Sequence, residues 1–264
     1  MVKKLSFLFA SKPWRSLLLK VSLFALGLFG VYFFSARGGS AFGGNFFLPA
    51  IFVFSLLIAW FYFSQLPERA HFRISFLALT LTAFLTLRFS EGGFYPAFLA
   101  CLGFGFLFYL LLGLPALIFK NRQSVYLLLN TGLFLAMFLL FFSADKSKHF
   151  LTINFLLFSV VFFLFGECFG FLRSAVHNSS FVVHNPRFLS LVFAFLSLEL
   201  FWVINLLPVG FINLAILETL FVFLTRDFTL AYFSGRFNRQ FFVYHLLVFI
   251  ILIIFIFANS KWGI

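Results

Sequence analysis

Apolar side chains run along this chain in long continuous blocks, and the short stretches between the blocks hold most of its charge. A helix rises 1.5 Å per residue, so a block of ~20 residues matches the ~30 Å hydrocarbon core of a bilayer. The pattern predicts nine transmembrane helices, over residues 17–36, 46–64, 72–90, 94–119, 125–144, 150–172, 188–207, 210–231 and 241–258. Strands of a membrane barrel would show ~10 residues of alternating polarity, whereas these blocks are apolar throughout. The third block is the shortest in effect, because Arg73 and Arg88 leave 14 residues between them. It spans if both arginines snorkel to the interfaces; seven or eight spans are the alternatives. No inter-block segment has room for a soluble domain, so residues 1–264 are expected to form one all-α integral membrane domain.

Charge orients the bundle. With the N-terminus inside and nine crossings, the inner set is Lys3, Lys4, Lys12, Arg15, Lys20, Arg69, Arg73, Lys120, Arg122, Arg173, Arg187, Arg226, Arg236 and Arg239. The outer set is Arg37, Arg88, Lys146, Lys148 and Lys261. A split of 14 to 5 is what the positive-inside rule requires, and an error in the count would scramble the alternation beyond it. The C-terminus is then outside. The basic stretch before residue 17 suggests a signal peptide, but the apolar run that follows is longer than a typical 7–15-residue core, so it is expected to stay as the first helix.

Composition narrows the class. Charged residues make up 10% of the chain, against ~25% in soluble domains. The net charge of +12 does not point to nucleic acid, since the basic residues flank the apolar blocks. They are placed to meet the bilayer and the anionic headgroups of its cytoplasmic face. The expected location is a bacterial-type cell membrane. Cys101 and Cys168 fall in different blocks at different depths, which disfavours a disulfide. There is no P-loop, dinucleotide fingerprint or HExxH, and no cofactor or metal is expected. His177 and His184 lie seven apart between the sixth and seventh blocks, in a segment broken by Asn185-Pro186, and make no metal site by themselves.

The polar residues inside the blocks carry the remaining information. Glu167, Glu199 and Glu218 lie within spans. An acidic residue at mid-bilayer costs about 2.5–3.5 kcal/mol on insertion scales, and such residues usually face the bundle interior. The link Leu207-Pro208-Val209-Gly210 is so short that spans seven and eight must form an antiparallel hairpin. The midpoint of positions 199 and 218 falls in that link, so both carboxylates lie roughly 14 Å from the turn at 1.5 Å per residue. Asn205 and Asn213 form a second layer closer to the turn, with Asn205 about 120° from Glu199 around its helix. Two carboxylates at one depth in low dielectric cannot both ionise cheaply; facing each other, they would hold a proton or a cation. Apart from each other, they are polar contacts between helices. A second group, Glu167, Arg226, Asp227, Arg239 and His245, falls toward the cytoplasmic face. It reads either as a cluster or as separate pairs at the interface.

Glu199, Trp202, Leu207-Pro208, Gly235, Arg239 and Trp262 resemble a pattern in uncharacterised multi-pass membrane proteins of reduced-genome bacteria. The resemblance covers the C-terminal third. It implies an integral membrane protein and carries no activity with it.

Three functional classes stay open. A transporter of an ion or small solute would use Glu199 and Glu218, with Asn205 and Asn213 beside them. A structural or assembly subunit of a membrane complex would use its aromatic surface to meet other membrane subunits. An intramembrane enzyme acting on a lipid-linked substrate would use the cytoplasmic-face group.

Overall fold

The computed structural model describes residues 12–37, 47–63, 72–89, 94–114, 119, 121–144, 146–175, 185–235 and 237–260. Among these residues there are nine α-helices and no strand. They are α1 Lys12–Arg37, α2 Phe47–Phe63, α3 Arg73–Phe89, α4 Phe94–Gly113, α5 Arg122–Ser143, α6 Lys146–Ala175, α7 Pro186–Asn205, α8 Phe211–Phe233 and α9 Arg239–Asn259. Each of the nine apolar blocks coincides with one helix. Six helices are long and apolar enough to cross a membrane: α1, α4, α5, α6, α7 and α9. The apolar stretches of α2 and α3 are shorter. Helix α8 is 23 residues long but carries Glu218, Arg226 and Asp227. The described residues are thus all-helical, and six of their helices have the length and composition of membrane-embedded segments.

Local chemistry sets several helix ends. Helix α4 stops at Gly113 rather than continuing to 119, because Pro115 supplies no amide and disfavours the α region at Leu114 before it. Asn185 caps α7 by accepting a hydrogen bond from the Phe188 amide at 3.2 Å, with Pro186 at the first helical position. Asn238 caps α9 by accepting from the Phe241 amide at 2.6 Å. Gly235 takes φ of 67° in the α8–α9 turn, a conformation in which a side chain would be strained.

The chain divides into two compact units, 1–129 and 130–264, with the boundary inside α5. In the first unit α1 packs against α2, α3 and α4. Phe24 of α1 stacks on Phe108 of α4 with ring centroids 4.2 Å apart. Gly27 of α1 provides the room for Phe54 of α2: a Cβ there would enter the Phe54 ring.

In the second unit the closest packing is between α6 and α7. The buried residues of α7 are Ser190, Ala194, Ser197, Phe201 and Ile204, spaced alternately four and three apart. That spacing keeps one narrow seam facing a partner, and its first three members are small, which lets backbones approach. Opposite them on α6, Gly166 faces Ser190 Oγ, and Phe165 and Phe169 meet Phe193 of α7 with ring centroids 5.2 and 5.9 Å apart. Helix α8 lies against α7, and α9 packs on α8. Helix α9 buries only Ile256.

Because this seam depends on small side chains, Ala194→Phe should overpack it. We expect a loss of about 1–3 kcal/mol in unfolding stability, read by denaturant titration in mixed micelles, whereas Phe163→Ala at an exposed position of α6 should change little.

Candidate functional site

Cross-helix contacts set the levels of the second unit. Trp202 of α7 donates to Asn154 Oδ1 of α6 at 3.2 Å, and Asn213 of α8 donates to Ser260 Oγ at the end of α9 at 2.8 Å. These bonds lie at the end of the unit that carries the α7–α8 turn. At the other end Arg226 of α8 donates to Thr131 Oγ1 of α5 at 2.8 Å, and Phe134 of α5 meets Phe165 of α6 with centroids 5.1 Å apart. Between these two levels lie Glu218 and Ser197. Ser197 stands eight residues before the end of α7 and Glu218 seven after the start of α8. They therefore share a level to within ~1.5 Å.

The level holding Arg226 is a connected polar group. The Arg226 side chain is buried, with 1% relative exposure. Besides Thr131 it meets Asp227 Oδ1 at 3.5 Å and lies over the Phe223 ring at 5.1 Å. The Cys168 thiol is within electrostatic reach of Arg226, Glu167 and Asp227, and Asp227 is within reach of His245. His245 Nδ1 is 2.9 Å from the Phe241 carbonyl. A carbonyl only accepts, so Nδ1 carries the hydrogen and Nε2 is the nitrogen left for other partners. The imidazole ring is packed against Phe241, Phe228 and Tyr244. Four members of the expected group, Glu167, Arg226, Asp227 and His245, are thus brought to one level. Arg239 is not among them: it is exposed at the start of α9. His177 and His184 lie outside the described residues.

The expected pair of Glu199 and Glu218 is at one depth but not in one environment. Glu218 is fully buried, and neither of its carboxylate oxygens has a hydrogen-bond partner. Glu199 is exposed. The reason is rotation. At 100° per residue, Ser190, Ala194, Ser197, Phe201 and Ile204 lie within ~40° of the point opposite Glu199. Burying the seam therefore turns Glu199 outward. Asn205 and Asn213 also separate. Asn205 is exposed and lines a groove of about 350 Å³ with Ile153, Asn154, Trp202 and Leu206. Asn213 is taken up by Ser260.

Two residues of this interior gave no signal by type alone. Asn130 is fully buried with both amide atoms unpartnered, and Ser197 is 1% exposed with its hydroxyl unpartnered. Most helix hydroxyls here return a bond to a carbonyl of their own helix, as Thr82, Ser190, Thr219 and Thr225 do. Ser197 does not. The spacing of Ser190, Ala194 and Ser197 was the sequence signal for its burial; for Asn130 there was none. Cys101 and Cys168 are buried and free. Among the described residues no three His, Cys, Asp or Glu side chains gather as a metal site.

The Arg226–Thr131 bond joins a buried cation to α5 at 2.8 Å, so Thr131→Val should cost about 1.5–3 kcal/mol, the scale of a hydrogen bond to a charged group. Combining it with Arg226→Met should recover part of that loss, because the buried cation is then gone. Denaturant unfolding of the two single variants and the double variant measures this coupling.

No family model, no curated protein and no solved structure matches this chain.

Proposed function

We propose that this protein moves protons or a small cation across a membrane, with Glu218 as the group that binds and releases them. The observation that carries this reading is the Glu218 side chain: fully buried, both oxygens without a partner, in a helix embedded among apolar ones. Intramembrane carboxylates are expensive, and they mark ion and proton pathways more often than plain packing positions. A carboxylate used only to join helices would be hydrogen-bonded to a neighbour, as Asn213 and Asn154 are. Ser197 at the same level supplies one more uncommitted oxygen. An oxygen-only environment with a single negative charge suits a proton or a monovalent hard cation.

In this reading the chain crosses a bacterial-type cell membrane nine times, N-terminus inside, with its basic residues against anionic headgroups. The 14 to 5 distribution of Lys and Arg supports that orientation. The level of Arg226, Asp227 and His245 then lies toward the cytoplasm. Its distance from Glu218 along α8 is ~12 Å for eight residues.

Reconstitution in liposomes loaded with a pH-sensitive dye tests the reading. Under an imposed gradient of pH or sodium, the wild type should carry proton or sodium flux. Glu218→Gln should lower it at least tenfold while the protein keeps its helical content and elution volume. Glu199→Gln should leave it close to wild type, since that carboxylate is on the other side of α7. Equal fluxes for Glu218→Gln and the wild type would remove Glu218 from the pathway and overturn the proposal.

A further inference from the structure

The face of α7 opposite its buried seam is an exposed apolar stripe with one acidic residue in it. Phe188, Phe195, Leu196, Trp202, Val203 and Leu206 are all exposed, and at 100° per residue all lie within ~60° of Glu199. Glu199 itself is exposed and has no hydrogen bond or ion pair among the described residues. It is six residues from the Asn205 end of α7 and thirteen from the Pro186 end. Those spans are ~9 Å and ~20 Å at 1.5 Å per residue, so the short carboxyl cannot reach the headgroup region from either side. Lipid offers it no partner there, and a lipid-facing acid at that depth is the arrangement that membrane proteins avoid.

We infer that this stripe is a helix–helix interface between two copies of the chain, with Glu199 meeting its own counterpart. Two features single out a second copy as the occupant. All copies in one membrane share one orientation. A two-fold axis along the membrane normal therefore brings each residue near the axis opposite itself at the same depth. The partner for Glu199 then arrives at the correct level without any further adjustment. A carboxylic acid in its neutral form also carries one donor and one acceptor, so two of them satisfy each other reciprocally. The stripe has the composition for such a contact. Its apolar members repeat at helical spacing on both sides of Glu199, and one polar residue at the centre of an apolar seam fixes register and partner number. The seam that holds α7 to α6 is on the opposite side, so dimerisation leaves the packing of the second unit intact.

The full-length chain carrying Cys101→Ala and Cys168→Ala, with Val203→Cys added, should form disulfide-linked dimers in liposomes under mild oxidation. Phe155→Cys, exposed on α6, is the control and should form at least tenfold less. Adding Glu199→Leu should lower the Val203→Cys crosslink at least tenfold. Glu199→Gln should retain it, because a carboxamide is also donor and acceptor. Single-molecule photobleaching of the labelled wild type at low density, which needs no substitution, should show two steps. Single-step bleaching overturns the inference whatever the variants do. Crosslinking at Val203→Cys no greater than at Phe155→Cys, or unchanged by Glu199→Leu, overturns the assignment of this face.

Discussion

The second unit depends on the narrow line along which α7 meets α6. Ser190, Ala194 and Ser197 bring almost no bulk to that line, Gly166 of α6 meets it at Ser190, and Phe165 and Phe169 flank it against Phe193. In a bilayer there is no water to expel between helices, so such contacts rest on close packing itself. Once this seam is set, the rotation of α7 has no freedom left. The link of residues 206–210 then places α8 beside it with a fixed register. The inward turn of Ser197, the outward turn of Glu199 and the level reached by Glu218 all follow from the same contact.

Against that frame, polar groups of the second unit are treated differently by level. At the α7–α8 end, cross-helix bonds join Trp202 to Asn154 and Asn213 to Ser260. Near the α8–α9 end, Arg226 is tied to Thr131 and Asp227. Between them, Glu218 and Ser197 have no protein partner. A buried polar group without a partner costs ~1–3 kcal/mol, more when charged. The second unit is thus joined by cross-helix hydrogen bonds toward both ends, while Glu218 and Ser197 between them, like Asn130 beside Thr131, are left without a partner. Of these groups only Glu218 can carry a charge, and that singles out its level.

How much of this was legible in the sequence differs by feature. Length and continuity of the apolar blocks located all nine helices, and the short Leu207–Gly210 link gave the common depth of Glu199 and Glu218. Depth is a one-dimensional property, and chain length alone determines it. Which way each residue faces is a second coordinate, and it depends on the seam a helix buries. For α7 that seam was written in small residues four and three apart, so the separation of the two glutamates was readable in principle. The gathering of Glu167, Arg226, Asp227 and His245 joins three helices, and their approximate depths were legible while their contacts were not. Thr131 and Asn130 left no trace, because neutral polar residues are common in membrane helices and most return a bond to their own backbone. The end of α4 at Gly113 was also readable, since Pro115 stands two positions on.

The short link between α7 and α8 bears on how the protein is made. Helix α8 carries Glu218, Arg226 and Asp227 and is the least suited of the long helices to enter hydrocarbon by itself. Helix α7 is mostly apolar, with Arg187 and Glu199 its only charged residues, and is joined to it by five residues. A link that short cannot leave α7 settled in the lipid while α8 waits at a distance in water. In the proposed nine-span topology the two leave the aqueous phase together, as one hairpin, with the apolar surface of the first offsetting the charges of the second. The order of synthesis is then part of the stability of the site: α6 and α7 are already made when Glu218 emerges, and the acid passes directly from water into a bundle, never meeting lipid alone.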